Sequence, residues 1–170
     1  SKGVIPVAKH FPGHGDTSVD SHIDIPRVDK SLEEMKEVEL VPFVQAVENG
    51  GDIIMVGHIL FPQLDEEYPA SLSNEIINGL PRDEMGFDGL VITDDLNMGA
   101  IMENYNISEA IIRYFKSGGD IALVCHGEEE EFNIFQTLKE EVAKGNISEA
   151  EIDEKVYRII RVKDKYNLQD

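Results

Sequence analysis

Four short apolar runs recur along the chain, each four or five residues long and rich in β-branched side chains, at residues 4–8, 53–56, 90–93 and 121–124. Hydrophobic residues follow one another in these runs without alternating with polar ones. This pattern predicts strands that are buried on both faces, as in a parallel sheet. Stretches with helical spacing separate the runs, so we predict an α/β fold of repeated parallel β/α units with right-handed crossovers.

Capping residues and prolines mark the ends of the predicted helices. Ser31 and Glu34 form a capping box, and Pro42 is expected to kink or divide the helix that follows, before it ends at Gly50. A second helix from Asn74 is expected to be shortened by Pro81.

The second half of the chain carries three further helical patterns. Ser108 is predicted to cap a helix that closes at Gly118. Apolar residues spaced along residues 132–142 predict another helix, and Ser148 with Glu151 forms a capping box before the last one.

Polar residues follow each apolar run, at Lys9-His10, Gly57-His58, Asp94-Asp95 and Cys125-His126. The carboxyl ends of parallel strands meet at one edge of a sheet, and α/β enzymes build their sites there. We therefore expect one shared site at these four ends. Asp94, at the end of a rigid strand, suits a nucleophile or an electrostatic stabiliser, whereas Asp95 is better suited to a turn or a cap.

Composition narrows the classes of partner. The chain has 170 residues, 41% hydrophobic and 29% charged, which fits one globular domain over residues 1–170. Its net charge of −19 argues against a nucleic acid or an anionic membrane as partner.

The single cysteine excludes an internal disulfide and a CxxC zinc site. The sequence contains no run of about 18 apolar residues, so we predict no membrane-spanning helix. An apolar strand so close to Ser1 suggests that the sequence starts inside a domain.

The densest polar stretch, residues 9–22, holds three of the five histidines. His10, His14 and His22, with Asp16 or Asp20, could bind a metal, although Pro12 prevents the helix that would place His10 and His14 on one face. A glycine-rich phosphate cradle is a weaker alternative, since neither GxGxxG nor GxxxxGK[ST] is present.

The third possibility for this stretch is an acid–base pair. Asp20 and His22 are two residues apart, so in an extended segment their side chains share one side. The carboxylate could then orient the imidazole, which gives and takes protons near neutral pH.

These motifs together resemble family 3 of the glycoside hydrolases, and within it the β-N-acetylglucosaminidase branch. Residues 9–22 read KHFPGHG-x4-D-S-H, as in the family signature. Residues 40–43 (LVPF), 55–58 (MVGH), 90–98 (LVITDDLNM) and 118–120 (GGD) resemble further family segments. The likeness runs over nearly the whole chain.

The resemblance implies a retaining β-N-acetylhexosaminidase. Asp94 would be the nucleophile, and His22, paired with Asp20, the general acid and then the general base. Lys9, His10 and His58 would bind the substrate, which carries terminal N-acetylglucosamine, as peptidoglycan fragments do. We expect no metal and no cofactor.

The family's catalytic domain is a (β/α)8 barrel of about twice this length, so the chain is expected to supply its second half, strands 5–8 of the barrel. An isolated half-barrel is expected to be inactive and to self-associate as a dimer. A phosphorylase of the same glycosides is the nearest alternative. A non-catalytic sugar-binding or assembly module is disfavoured, because a relic would be free to lose any of these residues.

Overall fold

The protein is described here by a computed structural model covering residues 3–15 and 25–168. Its four strands form one sheet in the order β1-β2-β3-β4, and all neighbours run parallel, as predicted. The strands are β1 (Val7–Phe11), β2 (Ile53–Val56), β3 (Leu90–Asp95) and β4 (Ile121–Leu123). The first strand begins three residues later than predicted, and Pro6, which precedes it, has no N–H to donate to a neighbouring strand.

Six α-helices surround the sheet in the described residues: α1 (Leu32–Glu37), α2 (Val41–Glu48), α3 (Gly99–Met102), α4 (Ile107–Lys116), α5 (Glu128–Ala143) and α6 (Glu149–Lys165). A 3-10 turn (Ala70–Leu72) and a π-helix (Glu75–Glu84) lie between β2 and β3. The capping boxes at Ser31 and Ser148 are confirmed. Pro42 does divide the first helix, because it lies in the first turn of α2, where a missing N–H costs nothing.

Two helix predictions are wrong. Pro81 does not shorten its helix, which continues to Glu84 with π winding, so that the Met85 N–H donates to the Leu80 carbonyl five residues back. The cap of α4 is Asn106 and not Ser108. The Asn106 side chain accepts hydrogen bonds from the N–H groups of Ser108 and Glu109. Helix α4 begins at Ile107, so Ser108 already lies inside it.

Helices bury one face of the sheet, and the other face is buried mainly at β3. One face packs Ile54, Val56 and Val91 against the outer helices, where Tyr114 of α4 is fully buried. The other face packs Leu90 and Ile92 of β3 against α6. Both faces of β3 are therefore apolar, which explains why its sequence reads as a continuous hydrophobic run.

Helix α6 is fixed at the amino ends of the strands by three aspartates, each located just before a strand. The pairs are Lys165–Asp52, Arg161–Asp88 and Arg158–Asp120. Because α6 lies at the amino ends of the strands, it does not cover their carboxyl ends, where a site can form. No helix in residues 3–15 and 25–168 combines the length and the hydrophobicity of a membrane span.

Candidate active site

His10 on β1 and Asp94 on β3 meet across the carboxyl end of β2. The imidazole Nε2 of His10 lies 3.3 Å from Oδ2 of Asp94. Gly57, which follows β2, makes this reach possible, since a Cβ at that position would lie only 3.1 Å from the Cβ of His10. A larger residue at the end of β2 would therefore crowd His10.

Both carboxylate oxygens of Asp94 have a close neighbour. Its Oδ1 accepts a hydrogen bond of 2.9 Å from the Asp95 N–H, and its Oδ2 faces His10. The Asp94 side chain still keeps 24% of its surface exposed. An acid that is fixed by its neighbours and open on one side has the arrangement that a nucleophile requires.

The surroundings of His10 favour the neutral form of its imidazole. Its burial lowers the pKa of the imidazole, and Lys9 and His14 lower it further, whereas Asp94 opposes them. A neutral imidazole whose Nε2 faces a carboxylate carries its proton on that nitrogen, because the carboxylate can only accept. His10 therefore presents an N–H to Asp94 without adding a fixed positive charge.

His58 lies beneath this pair and is almost fully buried. Its Nε2 donates a hydrogen bond of 2.9 Å to the Asp95 carbonyl, which fixes the tautomer, so Nδ1 accepts from the Ser71 hydroxyl at 2.7 Å. Burial lowers the pKa of His58 and keeps it neutral. Sugar binding by His58 stays a prediction. With both ring nitrogens occupied, the geometry gives this imidazole the role of holding the backbone beside Asp94.

Asp95 extends the network to β4. Its Oδ1 accepts hydrogen bonds from the N–H groups of Asn97 at 3.0 Å and Cys125 at 3.1 Å. Asn97 in turn accepts from the His126 N–H at 3.1 Å. Asp95 thus forms a turn, as predicted, and the ends of all four strands are joined as the sequence pattern indicated.

Other predicted residues are less closely connected or lie outside the described residues. Lys9 is exposed on β1 next to His10. Asp20 and His22, the predicted acid–base pair, are outside the described residues, as is Asp16. Within residues 3–15 and 25–168, no three His, Cys, Asp or Glu side chains are grouped closely enough to hold a metal ion.

Sequence reasoning missed three residues that shape the site. Ser71 orients His58, but it lies in a 3-10 turn that has no pattern of its own. Gly57 looked like an ordinary strand end. Glu39 is buried against Gly13, where a Cβ would lie 2.6 Å from the Glu39 Cβ, and it pairs with Lys30. The one sequence signal for Glu39 was its position, as a charged residue directly before the LVPF segment.

Comparison with known families gives one match that covers nearly the whole chain. The family described as "Glycosyl hydrolase family 3 N terminal domain" matches residues 1–162. Beta-hexosaminidase A of Pseudoalteromonas piscicida is 39% identical, over 72% of this chain and 22% of its own length.

Comparison with solved structures points to the same family. A glycoside hydrolase family 3 beta-N-acetylglucosaminidase from Paenibacillus sp. str. FPU-7 superposes with a TM-score of 0.94 at 40% identity, over 97% of this chain and 32% of that one. A beta-glucoside phosphorylase superposes with a TM-score of 0.89 at 28% identity, over 98% of this chain and 31% of that one. The chain thus spans a third or less of the length of these relatives.

Proposed function

The chain belongs to glycosyl hydrolase family 3, and we propose that it forms part of the catalytic domain of a β-N-acetylhexosaminidase that releases terminal N-acetylglucosamine. The observation that carries this proposal is the contact between His10 and Asp94 at the carboxyl ends of the strands. It is supported by the likeness to proteins named beta-hexosaminidase and beta-N-acetylglucosaminidase.

The first step of the proposed reaction is displacement of the aglycone by Asp94. A carboxylate oxygen of Asp94 attacks the anomeric carbon while the glycosidic C–O bond breaks, which gives a covalent glycosyl-enzyme. The hydrogen bond from the Asp95 N–H and the position of His10 orient the carboxylate for this attack. Water then breaks the ester bond in the second step, so the anomeric configuration is retained.

Protons move through His22 in this proposal. Its imidazolium gives a proton to the departing oxygen, and the neutral ring then takes a proton from the attacking water. Asp20 would orient the ring and stabilise its charged form. This pair replaces the second carboxylate of the usual retaining glycosidase.

Lys9 and His10 are proposed to bind the hydroxyl groups of the sugar. Lys9 is exposed beside the His10–Asp94 pair, so its ammonium is free to reach a bound ligand. Fragments of peptidoglycan are the proposed substrates, since they carry terminal N-acetylglucosamine. Activity is proposed to require a polypeptide that also contains the first half of the barrel.

Phosphorolysis is the second candidate reaction. It is favoured by the similarity to a beta-glucoside phosphorylase over 98% of this chain. A neutral imidazole as the second catalytic group repels an incoming phosphate less than a carboxylate would. The two reactions share the first step and differ only in whether water or phosphate attacks the glycosyl-enzyme.

The test uses a polypeptide that contains this chain within a complete catalytic barrel. Asp94→Ala should lower kcat on an aryl N-acetyl-β-glucosaminide by more than about 10³-fold, as expected for loss of a nucleophile. Asp95→Ala is the matched control and should lose less. If Asp95→Ala abolished turnover while Asp94→Ala kept it, the assignment of the nucleophile would be wrong. Sugar 1-phosphate formed in phosphate buffer would select phosphorolysis.

A further inference from the structure

One extra residue in β3 interrupts its pairing with β4 immediately beside Asp94. The pairs on either side of the interruption are Ile92 with Ile121 and Asp95 with Leu123. Between these pairs β3 advances by three residues and β4 by only two. A β-bulge of this kind changes the direction of side chains on the bulged strand, and bulges are frequent next to active sites. The bulge therefore helps to set the direction of the Asp94 side chain.

The side chain of Thr93 lies at this bulge and joins the two strands. Its Oγ1 accepts a hydrogen bond of 2.8 Å from the Leu123 N–H, which regular pairing would direct to a backbone carbonyl. Thr93 has no exposed surface, so its hydroxyl is shielded from water. Valine has nearly the same shape but no hydroxyl, so packing alone does not account for a threonine at this position.

Two further side chains continue this attachment at every second residue after Thr93. Asp95 Oδ1 accepts a hydrogen bond of 3.1 Å from the Cys125 N–H. Asn97 Oδ1 accepts one of 3.1 Å from the His126 N–H. The segment that leaves β4 is therefore attached to β3 largely through side chains, and Thr93 is the member of this group that is fully buried and lies at the bulge.

Asp95 connects this attachment to Asp94. Its N–H donates a hydrogen bond of 2.9 Å to Asp94 Oδ1, while its own carboxylate accepts from the Cys125 N–H. A change in the path of β4 therefore reaches Asp94 through a single residue. Thr93 also precedes Asp94 directly in the chain, so a change in the backbone at the bulge acts on Asp94 from that side as well.

We propose that Thr93 is a positioning residue for the reaction at Asp94, because its hydroxyl maintains the bulge in β3 and so keeps the Asp94 carboxylate turned toward His10. The hydroxyl itself touches no substrate and transfers no proton. Without it the Leu123 N–H loses its acceptor, and relaxation of β3 toward regular pairing turns Asp94 away from His10. The consequence for turnover rests on the proposed function, whereas the consequence for the junction of β3 and β4 does not.

Cys125 offers a reporter of this junction that needs no substrate. It is the single cysteine of the chain, and it is exposed. Desolvation raises the pKa of its thiol, and the carboxylates of Asp95 and Asp94 raise it further. If the junction loosens, the thiol moves away from these carboxylates, ionises at lower pH and reacts faster with a disulfide reagent.

The first experiment follows the reaction of Cys125 with dithiobis(nitrobenzoic acid) in the 170-residue chain, over a pH range around the ordinary pKa of cysteine. Thr93→Val should move the midpoint of the profile to lower pH and speed the reaction below that midpoint by at least about twofold. Thr93→Ser keeps the hydroxyl and should give the wild-type profile. Ser117→Ala is the matched control, because it removes a buried hydroxyl that donates to the Leu72 carbonyl, outside this junction.

Asn97→Ala provides a second variant if Thr93→Val lowers the yield of folded protein. It removes the acceptor of the His126 N–H at the less buried end of the same attachment. The thiol profile should shift in the same direction by a smaller amount. Wild-type profiles in both variants would overturn the proposal.

The second experiment places the Thr93 variants in a polypeptide that contains this chain within a complete catalytic barrel. On an aryl N-acetyl-β-glucosaminide, Thr93→Val should lower kcat about tenfold with little change in KM, because the carboxylate is misplaced while the sugar contacts remain. Thr93→Ser should keep most of the activity. Equal losses in the two variants, or a shifted thiol profile with unchanged kcat, would overturn the positioning role. A wild-type polypeptide without hexosaminidase activity would contradict the proposed function instead, and the thiol profiles would still decide whether Thr93 maintains the bulge.

Discussion

The buried imidazole of His58 donates a hydrogen bond of 2.9 Å to the backbone carbonyl of Asp95. The N–H of the same residue donates to the Asp94 carboxylate. His58 is therefore connected to the proposed nucleophile through the backbone of one residue, Asp95, although its own side chain is almost fully buried.

In a polypeptide that contains this chain within a complete catalytic barrel, replacing His58 with Gln should lower kcat by about 10²-fold, the scale of a misplacement near 1 Å, and should leave KM almost unchanged. The reason is that Asp94 loses its fixed position while the sugar contacts remain. Ser71→Ala should give a smaller loss in the same direction, because Ser71 only orients the ring. His126→Gln is the control, since its contact to Asn97 is made by the backbone. A rise in KM without a fall in kcat would instead support sugar binding by His58.

Gly57→Ala should lower activity with little change in Tm. The added methyl group would lie 3.1 Å from the Cβ of His10, so the two must move apart by a few tenths of an ångström, and we expect this to loosen the contact of the imidazole with Asp94. Gly79→Ala is the matched control, since a Cβ there meets no atom within 4 Å. Steady-state kinetics on an aryl glycoside, with Tm measured alongside, checks the pair. Equal activity in the two variants would contradict the steric role of Gly57.

Folding stability should fall as the pH drops below about 6.5, the ordinary pKa of histidine. The pKa values of His10 and His58 are lowered in the fold, mainly by burial, so the unfolded chain binds protons first. Stability gained from the neutral rings is complete above the unfolded pKa and is lost as the pH falls through the folded values. His58→Gln should show a shallower decline of Tm between pH 7 and 5 than the wild type. Parallel curves for the two proteins would count against this account.

Much of this architecture could be predicted from sequence because its signals are local. Continuous apolar runs gave the parallel strands, and the positions of Asp94 and His10 after those runs placed them at one edge. The π winding at Pro81 depends on how neighbouring segments pack, which no local pattern records. The other two errors, at the start of β1 and at the cap of α4, have local causes: Pro6 has no N–H to donate before β1, and Asn106 competes with Ser108 as the cap of α4. The roles of Ser71, Gly57 and Glu39 arise from contacts between residues distant in sequence.

Asp120→Asn should destabilise the fold by about 3–5 kcal/mol, the usual cost of breaking a buried ion pair. Arg82, Arg158 and Lys155 would then be left around a neutral amide. Asp88→Asn removes an aspartate of the same α6 anchor, but from an exposed pair with Arg161, so it should cost less than about 1 kcal/mol. Urea unfolding of both variants measures the difference, and similar losses would show that the Asp120 cluster is not the main anchor of α6.

The isolated 170-residue chain should self-associate, as a two-fold symmetric dimer without measurable hexosaminidase activity. Within the described residues, β1 and β4 each pair with one neighbour and leave their outer edges open. Large apolar side chains are also exposed on β1 and on the helices α2, α5 and α6: Val7, Val41, Val44, Phe132, Phe135, Tyr157 and Ile160. Open strand edges and apolar patches of this kind favour pairing with a second copy.

Light scattering over a range of concentrations, with a hexosaminide assay alongside, tests this expectation. A double variant with Val7→Lys at the β1 edge and Phe135→Glu on α5 should be monomeric, because each change places a charge in the apolar contact. Lys36→Glu with Glu84→Lys is the control, since it exchanges the members of an exposed ion pair and keeps the net charge. A well-folded wild-type monomer that hydrolyses the hexosaminide would show that the chain is not half of a barrel.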